Sequence, residues 1–218
     1  TEHEVRIADS IAISQMTTDI AVWPQLSDAS LTRFTRQYVT AYAQAVGITW
    51  RRRKEHHITN EAVLAQADRL TVKDVMRLAR LRMLPRLLLH GPAHLRDLLS
   101  QGWQGGYGWA QQLKHDLAWL HEFSDPDEPQ ASLDYMELIQ WAREHPNLFK
   151  LFAKRVARRS TWHVCEQDRV QRWRSSLEKL THNTMIPAFP QQNVMEQVVL
   201  KPGSLAEEWF TRPRMFDI

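Results

Sequence analysis

Apolar positions recur every three to four residues along most of this chain, which is the spacing that keeps side chains on one face of an α-helix. Leu31, Phe34, Tyr38, Ala41 and Ala45 predict a helix over about 29–46. Asp28 can open it by accepting free backbone N–H groups, and Gly47 can close it by taking positive φ. The run "WRRRKEHH" (50–57) reads as a charged connector. Thr59 starts a short helix to about 68. Thr71 with Asp74 resembles a capping box and opens another helix, with Val72, Val75, Met76, Ala79 and Met83 on its inner face. Pro85 removes an N–H and restricts its neighbour, so that helix should weaken near Leu84.

His90-Gly91-Pro92 then reads as a turn, followed by a helix over about 93–101 that Gly102 stops. "GWQGGYG" (102–108) reads as a loop. Trp109, Leu113, Leu117 and Leu120 begin the next helix and place Asp116 at one edge of its apolar stripe. Ser132 opens a helix to about Glu144, and Asn147 caps one in which Phe149, Phe152, Ala153 and Val156 face inward. Val170, Trp173, Leu177 and Leu180 mark a last long helix. The tail from 181 carries four prolines and a short "QVVL" run, and should wrap over the helices. Strand signals are scarce. The expected class is all-α, a multi-helix bundle with an extended, proline-containing C-terminal tail. The acidic, proline-rich "SDPDEPQ" (124–130) is the expected internal linker. It separates an N-terminal helical region (1–123) from a C-terminal helical region plus tail (131–218), unless the two form one continuous domain.

Composition adds limits. Of 218 residues, 43% are hydrophobic and nine are tryptophan, enough for a substantial core. No apolar run approaches the roughly 18 residues of a membrane span. The opening "TEHEVRIADS" lacks the basic-then-apolar layout of a signal peptide. The single cysteine, Cys165, excludes an internal disulfide and suits a reducing cytoplasmic setting as a buried, inert thiol. The net charge of +3 hides strong segregation. Residues 1–32 carry −4, 33–99 carry +8, 100–148 carry −6, and 149–182 carry +6. Separate basic and acidic surfaces suit charged protein partners at least as well as nucleic acid.

Chemistry-bearing motifs are weak. His90 and His94 have a metal-like spacing, but Gly91 and Pro92 interrupt any helix between them and no third ligand accompanies them. The glycines at 102, 105, 106 and 108 lack the Lys-Ser/Thr of a phosphate loop and the strand that precedes a dinucleotide loop. No nucleophile elbow, zinc-protease motif or Cys-x-x-Cys is present. Neither an enzyme, a metal nor a cofactor is expected. A helix-turn-helix reading has more behind it. Leu64, Ala65, Leu70, Val75 and Leu78 fit its apolar skeleton across 59–82, and Lys73, Arg77 and Arg80 would lie on the exposed side of the second helix to meet DNA. Arg69 stands where that turn usually holds glycine.

Leu84-Pro85, Gly91, Leu95-Arg96, Gln101-Gly102 and Trp109-Ala110-Gln111 occur in an order that resembles the K-subunit family of type III secretion sorting platforms. Val22-Trp23-Pro24 and Asp28-Ala29-Ser30-Leu31 fall where that family carries an aromatic-x-Pro element and a short turn. The family's Tyr and His-Pro in that turn are absent here. The resemblance implies a non-enzymatic cytosolic adaptor that links the inner-membrane ring's cytoplasmic domain to the pods of the sorting platform. It also implies a position at the cytosolic face of the inner membrane, held there by its partners. On this reading 84–111 is a rigid joint of Leu84, Pro85, Gly91, Leu95, Gly102 and Trp109, with Leu84, Leu87, Leu88, Leu95 and Leu98 buried. Trp109 would pack across the glycine loop and fix the angle between helices. Arg51, Arg52, Arg53, Lys150, Lys154, Arg158 and Arg159 would meet acidic partner surfaces, and the acidic stretch 125–128 a basic one.

Overall fold

The computed structural model describes residues 2–23 and 26–183, which contain helices and turns and no strand. The class is therefore all-α among the described residues. The expected wrapping of the tail lies outside them from residue 184. The chain divides into a unit Thr1–Val170 and a second, Gln171–Ile218, and the stretch 124–130 lies within the first.

Helix α1 (Glu2–Ala8) passes through a π-helical turn, Asp9–Ile13, into α2 (Ser14–Met16). A 3-10 turn, Ile20–Val22, leads toward α3 (Asp28–Ala45). The cap of α3 is Ser27, whose hydroxyl accepts from Ser30 N at 3.3 Å, and the expected cap, Asp28, occupies the first helical position. Gly47 takes φ 72° just past the helix end, as its sequence position predicts. The charged run 50–57 is no mere connector: α4 (Trp50–Glu55) forms on the Thr49 cap. Helices α5 (Asn60–Ala67) and α6 (Val72–His90) begin on the expected caps Thr59 and Thr71.

Helix α6 runs uninterrupted through Pro85, against the expected weakening at Leu84. A proline in a helix interior costs about 3 kcal/mol. Leu81 and Leu84 are fully buried, each worth about 1.5–3 kcal/mol, and Pro85 is itself buried, so packing outweighs the lost hydrogen bond. Helix α7 (Ala93–Gly105) likewise continues past Gly102, and the expected loop shrinks to Gly106 and Tyr107 before α8 (Gly108–Phe123). Gly106, at φ 67°, ends α7. Gly102 serves a different purpose. A Cβ there would sit 3.0 Å from Ala110 Cβ, so its role is the close approach of α7 to α8. Helix α9 (Tyr135–Glu144) starts at Asp134 with a complete capping box to Glu137, two residues after the expected opening at Ser132, which closes a 3-10 turn, Pro129–Ser132. Helix α10 (Pro146–Asn183) joins into one element the two helices expected there.

Among the described residues two apolar cores form, and α6 contributes to both. The first gathers Val5, Ile20, Tyr38, Val39, Tyr42, Val63 and Leu64 with Val72 and Met76 of α6. The second gathers Leu78, Leu81 and Leu84 of α6 with Leu113, Leu117 and Trp119 of α8, Leu138 of α9, and Phe149, Phe152 and Val156 of α10. A helix buried on two sides carries apolar residues beyond one stripe, which is why only one of its inner faces is legible as a periodic pattern.

Candidate functional site

The expected joint is partly where it was placed. Leu84 and Pro85 are buried and Gly102 is packed. Gly91, in extended conformation, caps α6, and a Cβ there would collide with Leu87 O, so the chain needs glycine at this exit. Leu87 and Leu88 are half-buried, whereas Leu95 and Leu98 are 41% and 58% exposed, contrary to expectation. Helix α7 turns Leu99, Gly102 and Trp103 inward instead, which leaves Leu95 and Leu98 on the solvent side. Trp109 is half-buried against the second core. Its Nε1 donates to Ala21 O at 2.9 Å, so it ties α8 to the 3-10 turn near the N-terminus.

The cations expected to bind DNA do not share an exposed face. Lys73 is exposed. Arg77 lies 5.1 Å over the Trp119 ring and within 3.5 Å of Asp74. Arg80 is buried, with Nε and Nη2 donating to Asp116 at 2.6 and 2.9 Å. The expected exposed face is corrected here: α6 is packed on the side where bases would be read, because Arg80 neutralises a carboxylate inside the second core. Burial pushes the Asp116 carboxyl above its usual range, while the Arg80 guanidinium pulls it back. Beside this pair, Ser160 Oγ and Thr161 Oγ1 donate to Asp74 at 3.1 and 2.7 Å, and Trp119 Nε1 donates to Ser160 Oγ at 3.0 Å. These buried groups are satisfied by one another, as a packed interior requires.

The seven cations expected to bind partners also divide. Arg51 and Arg52 are exposed on α4. Arg53 turns inward, with Nε donating to Ile58 O at 3.1 Å and Nη2 to Asn60. Arg159 is a structural residue: its guanidinium donates to Phe123 O at 2.9 Å and pairs with Asp125 at 3.0 Å. Arg155 pairs with Glu128 at 2.9 Å. The acidic stretch 125–128 therefore meets a basic surface within this chain, and Asp125 and Glu128 are already engaged. Arg158 is exposed.

Lys150 and Lys154 remain, and the structure gives them company that the sequence reading missed. They line an open groove of about 790 Å³ with Arg82 and Arg86 of α6. Its apolar lining comes from Ile20 and Ala21 of the 3-10 turn, Ala79 and Met83 of α6, and Leu151 of α10. Among the described residues that line it, Asp19 is the one carboxylate. Among the described residues, none of the four cations makes an ion pair. Arg82, Arg86 and Lys154 are exposed and Lys150 is half-buried. The missed signal was Arg82 and Arg86, four apart on one helix, on either side of the weakening expected near Leu84. The turn that carries Ile20 and Ala21 is held by Trp109 through its hydrogen bond to Ala21 O.

A second open groove runs beside α3 and α4, lined by Arg36, Trp50, Arg53, Lys54 and Lys73. Trp50 is 76% exposed, and Lys54 lies 5.3 Å over its ring. His90 and His94 are exposed, and no cluster of three or more metal-ligating side chains exists among the described residues. Cys165 is half-buried; its Sγ lies 3.5 Å from Glu61 O, and burial pushes its thiol up to about 11. A thiol so held is a poor nucleophile. No helix among the described residues is long and apolar enough to cross a membrane. Comparisons with protein-family models, curated proteins and solved structures find no match to this chain.

Proposed function

We propose that this protein is a non-enzymatic helical adaptor that joins other polypeptides in the cytoplasm, in the manner of the K-subunit family of type III secretion sorting platforms. The observation that carries the reading is the division of its charged groups. Some are consumed by the fold, as Arg80 is by the buried Asp116 and Arg159 by Phe123 O and the partly exposed Asp125. Four others, Arg82, Arg86, Lys150 and Lys154, surround a groove with one carboxylate among them. Cations concentrated without partners on one face attract and orient an acidic surface. The sequence pattern around Leu84-Pro85, Gly102 and Trp109 supports the choice of family, and the half-buried, hydrogen-bonded Trp109 supports a framework role for that segment. On this reading the partners are the inner-membrane ring's cytoplasmic domain and the pods of the platform, and the protein lies at the cytosolic face of that membrane.

The test is co-expression of the chain with those two components, followed by native mass spectrometry of the purified material. The adaptor reading expects a defined complex containing both. The chain recovered alone, beside components that assemble without it, would refute it. The DNA-binding reading is weaker, since Arg80 and Arg77 are turned into ion pairs and ring contacts.

A further inference from the structure

We propose that the groove between the Ile20–Val22 turn, α6 and the start of α10 seats an acidic amphipathic helix of a partner protein. This rests on the adaptor reading and names the ligand of its basic face. Arg82 and Arg86 lie four residues apart on α6, and Lys150 and Lys154 four apart on α10. Four residues along a helix span about 6 Å. Each rim thus presents two cations with the repeat that carboxylates at i and i+4 of a guest helix also have. The same groove is lined by the apolar side chains of Ala79 and Met83 from α6 and Leu151 from α10. Leu151 is a leucine left 54% exposed on α10, while its neighbour Phe152 turns into the second core. A guest with Leu along its middle and Glu along its flanks covers that lining while its carboxylates meet the rims. This is the helix-in-groove mode, with charge complementarity setting register.

A nucleic acid fits less well. Its phosphates would engage the rims and leave Met83 and Leu151 wet, gaining nothing from the apolar lining. A small anion would do the same. The Ile20–Val22 turn needs no rearrangement to receive the guest, because Ile20 is 4% exposed and the Trp109–Ala21 hydrogen bond already holds it. A preformed turn lowers the ordering cost of binding.

The test uses the full chain and a labelled peptide of about 18 residues, long enough to form a helix, with Leu on one face and Glu at i, i+4 along both flanks. Fluorescence anisotropy should show saturable binding. Arg82→Glu with Arg86→Glu, and separately Lys150→Glu with Lys154→Glu, should each weaken it at least about tenfold. Leu151→Glu should weaken it similarly, and Arg51→Glu with Arg52→Glu should leave it unchanged. Lys150→Gln with Lys154→Gln provides a milder pair, and unchanged thermal melting of each variant shows that the fold persists. A peptide of the same composition in scrambled order should bind at least about tenfold more weakly. Equal binding of the scrambled peptide, absence of saturable binding, or a duplex DNA that displaces the peptide and depends on the same four cations would overturn the proposal. If the peptide fails to bind while the complex with ring and pod components still forms, this proposal falls and the adaptor reading stands. If the peptide binds as expected and no such complex forms, the groove survives and the choice of partners falls.

Discussion

The two cores that share α6 keep their polar groups in different places. In the first, the polar groups sit at the margin. Tyr38, Tyr42 and Phe34 form an aromatic run down α3, with Tyr38 and Tyr42 rings 5.0 Å apart edge to face. Tyr42 donates to Asp9 at 2.6 Å, and Arg69 Nε donates to both Asp9 oxygens at 3.1 Å. The side chains of that ion pair remain 26% and 36% exposed. In the second core the polar groups are inside: the Arg80 and Asp116 side chains are 9% and 2% exposed. The difference teaches where charge is structural and where it is available. Water still screens the Asp9–Arg69 pair, so its loss is tolerable. The Arg80–Asp116 pair has no such recourse, because a buried charge without its partner is strongly destabilising.

The largest expected effect breaks this comparison most directly. Asp116→Ala should cost about 3–5 kcal/mol in urea unfolding, since it strands the Arg80 guanidinium. Arg80→Met together with Asp116→Leu should recover most of that loss. Asp9→Ala should cost less, about 1–2 kcal/mol, of which the screened ion pair is at most about 1 and the lost hydrogen bond from Tyr42 the rest. Equal losses for Asp9→Ala and Asp116→Ala would erase the distinction between the cores.

A pH experiment sharpens the same contrast from the other side. Burial pushes the Tyr38 phenol up to about 12 from its ordinary 10.0, and Tyr42 is raised as well. The folded chain therefore holds these protons more tightly than the unfolded chain. Stability is fully present below pH 10 and is lost as pH rises toward about 12. For Tyr38 alone the loss is about 3 kcal/mol. Tyr38→Phe should make this alkaline decline shallower and leave the share due to Tyr42, at the cost of the hydrogen bond from Tyr38 OH to Leu70 O. Melting temperatures measured across that range decide it; an identical decline in the variant would contradict the assignment to the first core.

Smaller effects probe the link between the regions. Trp109→Phe keeps the ring's bulk and removes the donor to Ala21 O, so it should cost about 1 kcal/mol. It should also raise amide exchange at residues 19–22 more than elsewhere in the first core. Arg155→Ala, which removes a pair with an arginine 56% exposed, should change stability by no more than about 0.5 kcal/mol.

Local signals were legible in the sequence where the chain decides its own conformation. Thr59 and Thr71 cap helices through their hydroxyls, and Gly47 leaves α3 with positive φ, because these depend on residues a turn apart. The inward face of α10 was readable for the same reason: Phe149, Phe152, Ala153 and Val156 keep helical spacing and are fully buried or nearly so. What was not legible depended on contacts distant in sequence. Pro85 stays helical because two cores hold α6, and Gly102 continues α7 because Ala110 approaches it. Asp116 stood at the edge of an apolar stripe, a visible oddity, but its partner Arg80 is 36 residues away. The basic groove was half visible. Lys150 and Lys154 stood among the cations expected to meet a partner, and only the unbroken course of α6 brings Arg82 and Arg86 to the same opening.

The central claim is that the four unpaired cations around this groove engage the partner. The most direct measurement is native mass spectrometry of the adaptor complex reconstituted with the Arg82→Glu, Arg86→Glu, Lys150→Glu, Lys154→Glu variant, beside the Arg51→Glu, Arg52→Glu variant. The account predicts that the groove variant keeps its melting temperature and drops out of the complex, while the α4 variant assembles as the wild type does. A groove variant that assembles fully, or an α4 variant that alone is lost, would contradict it.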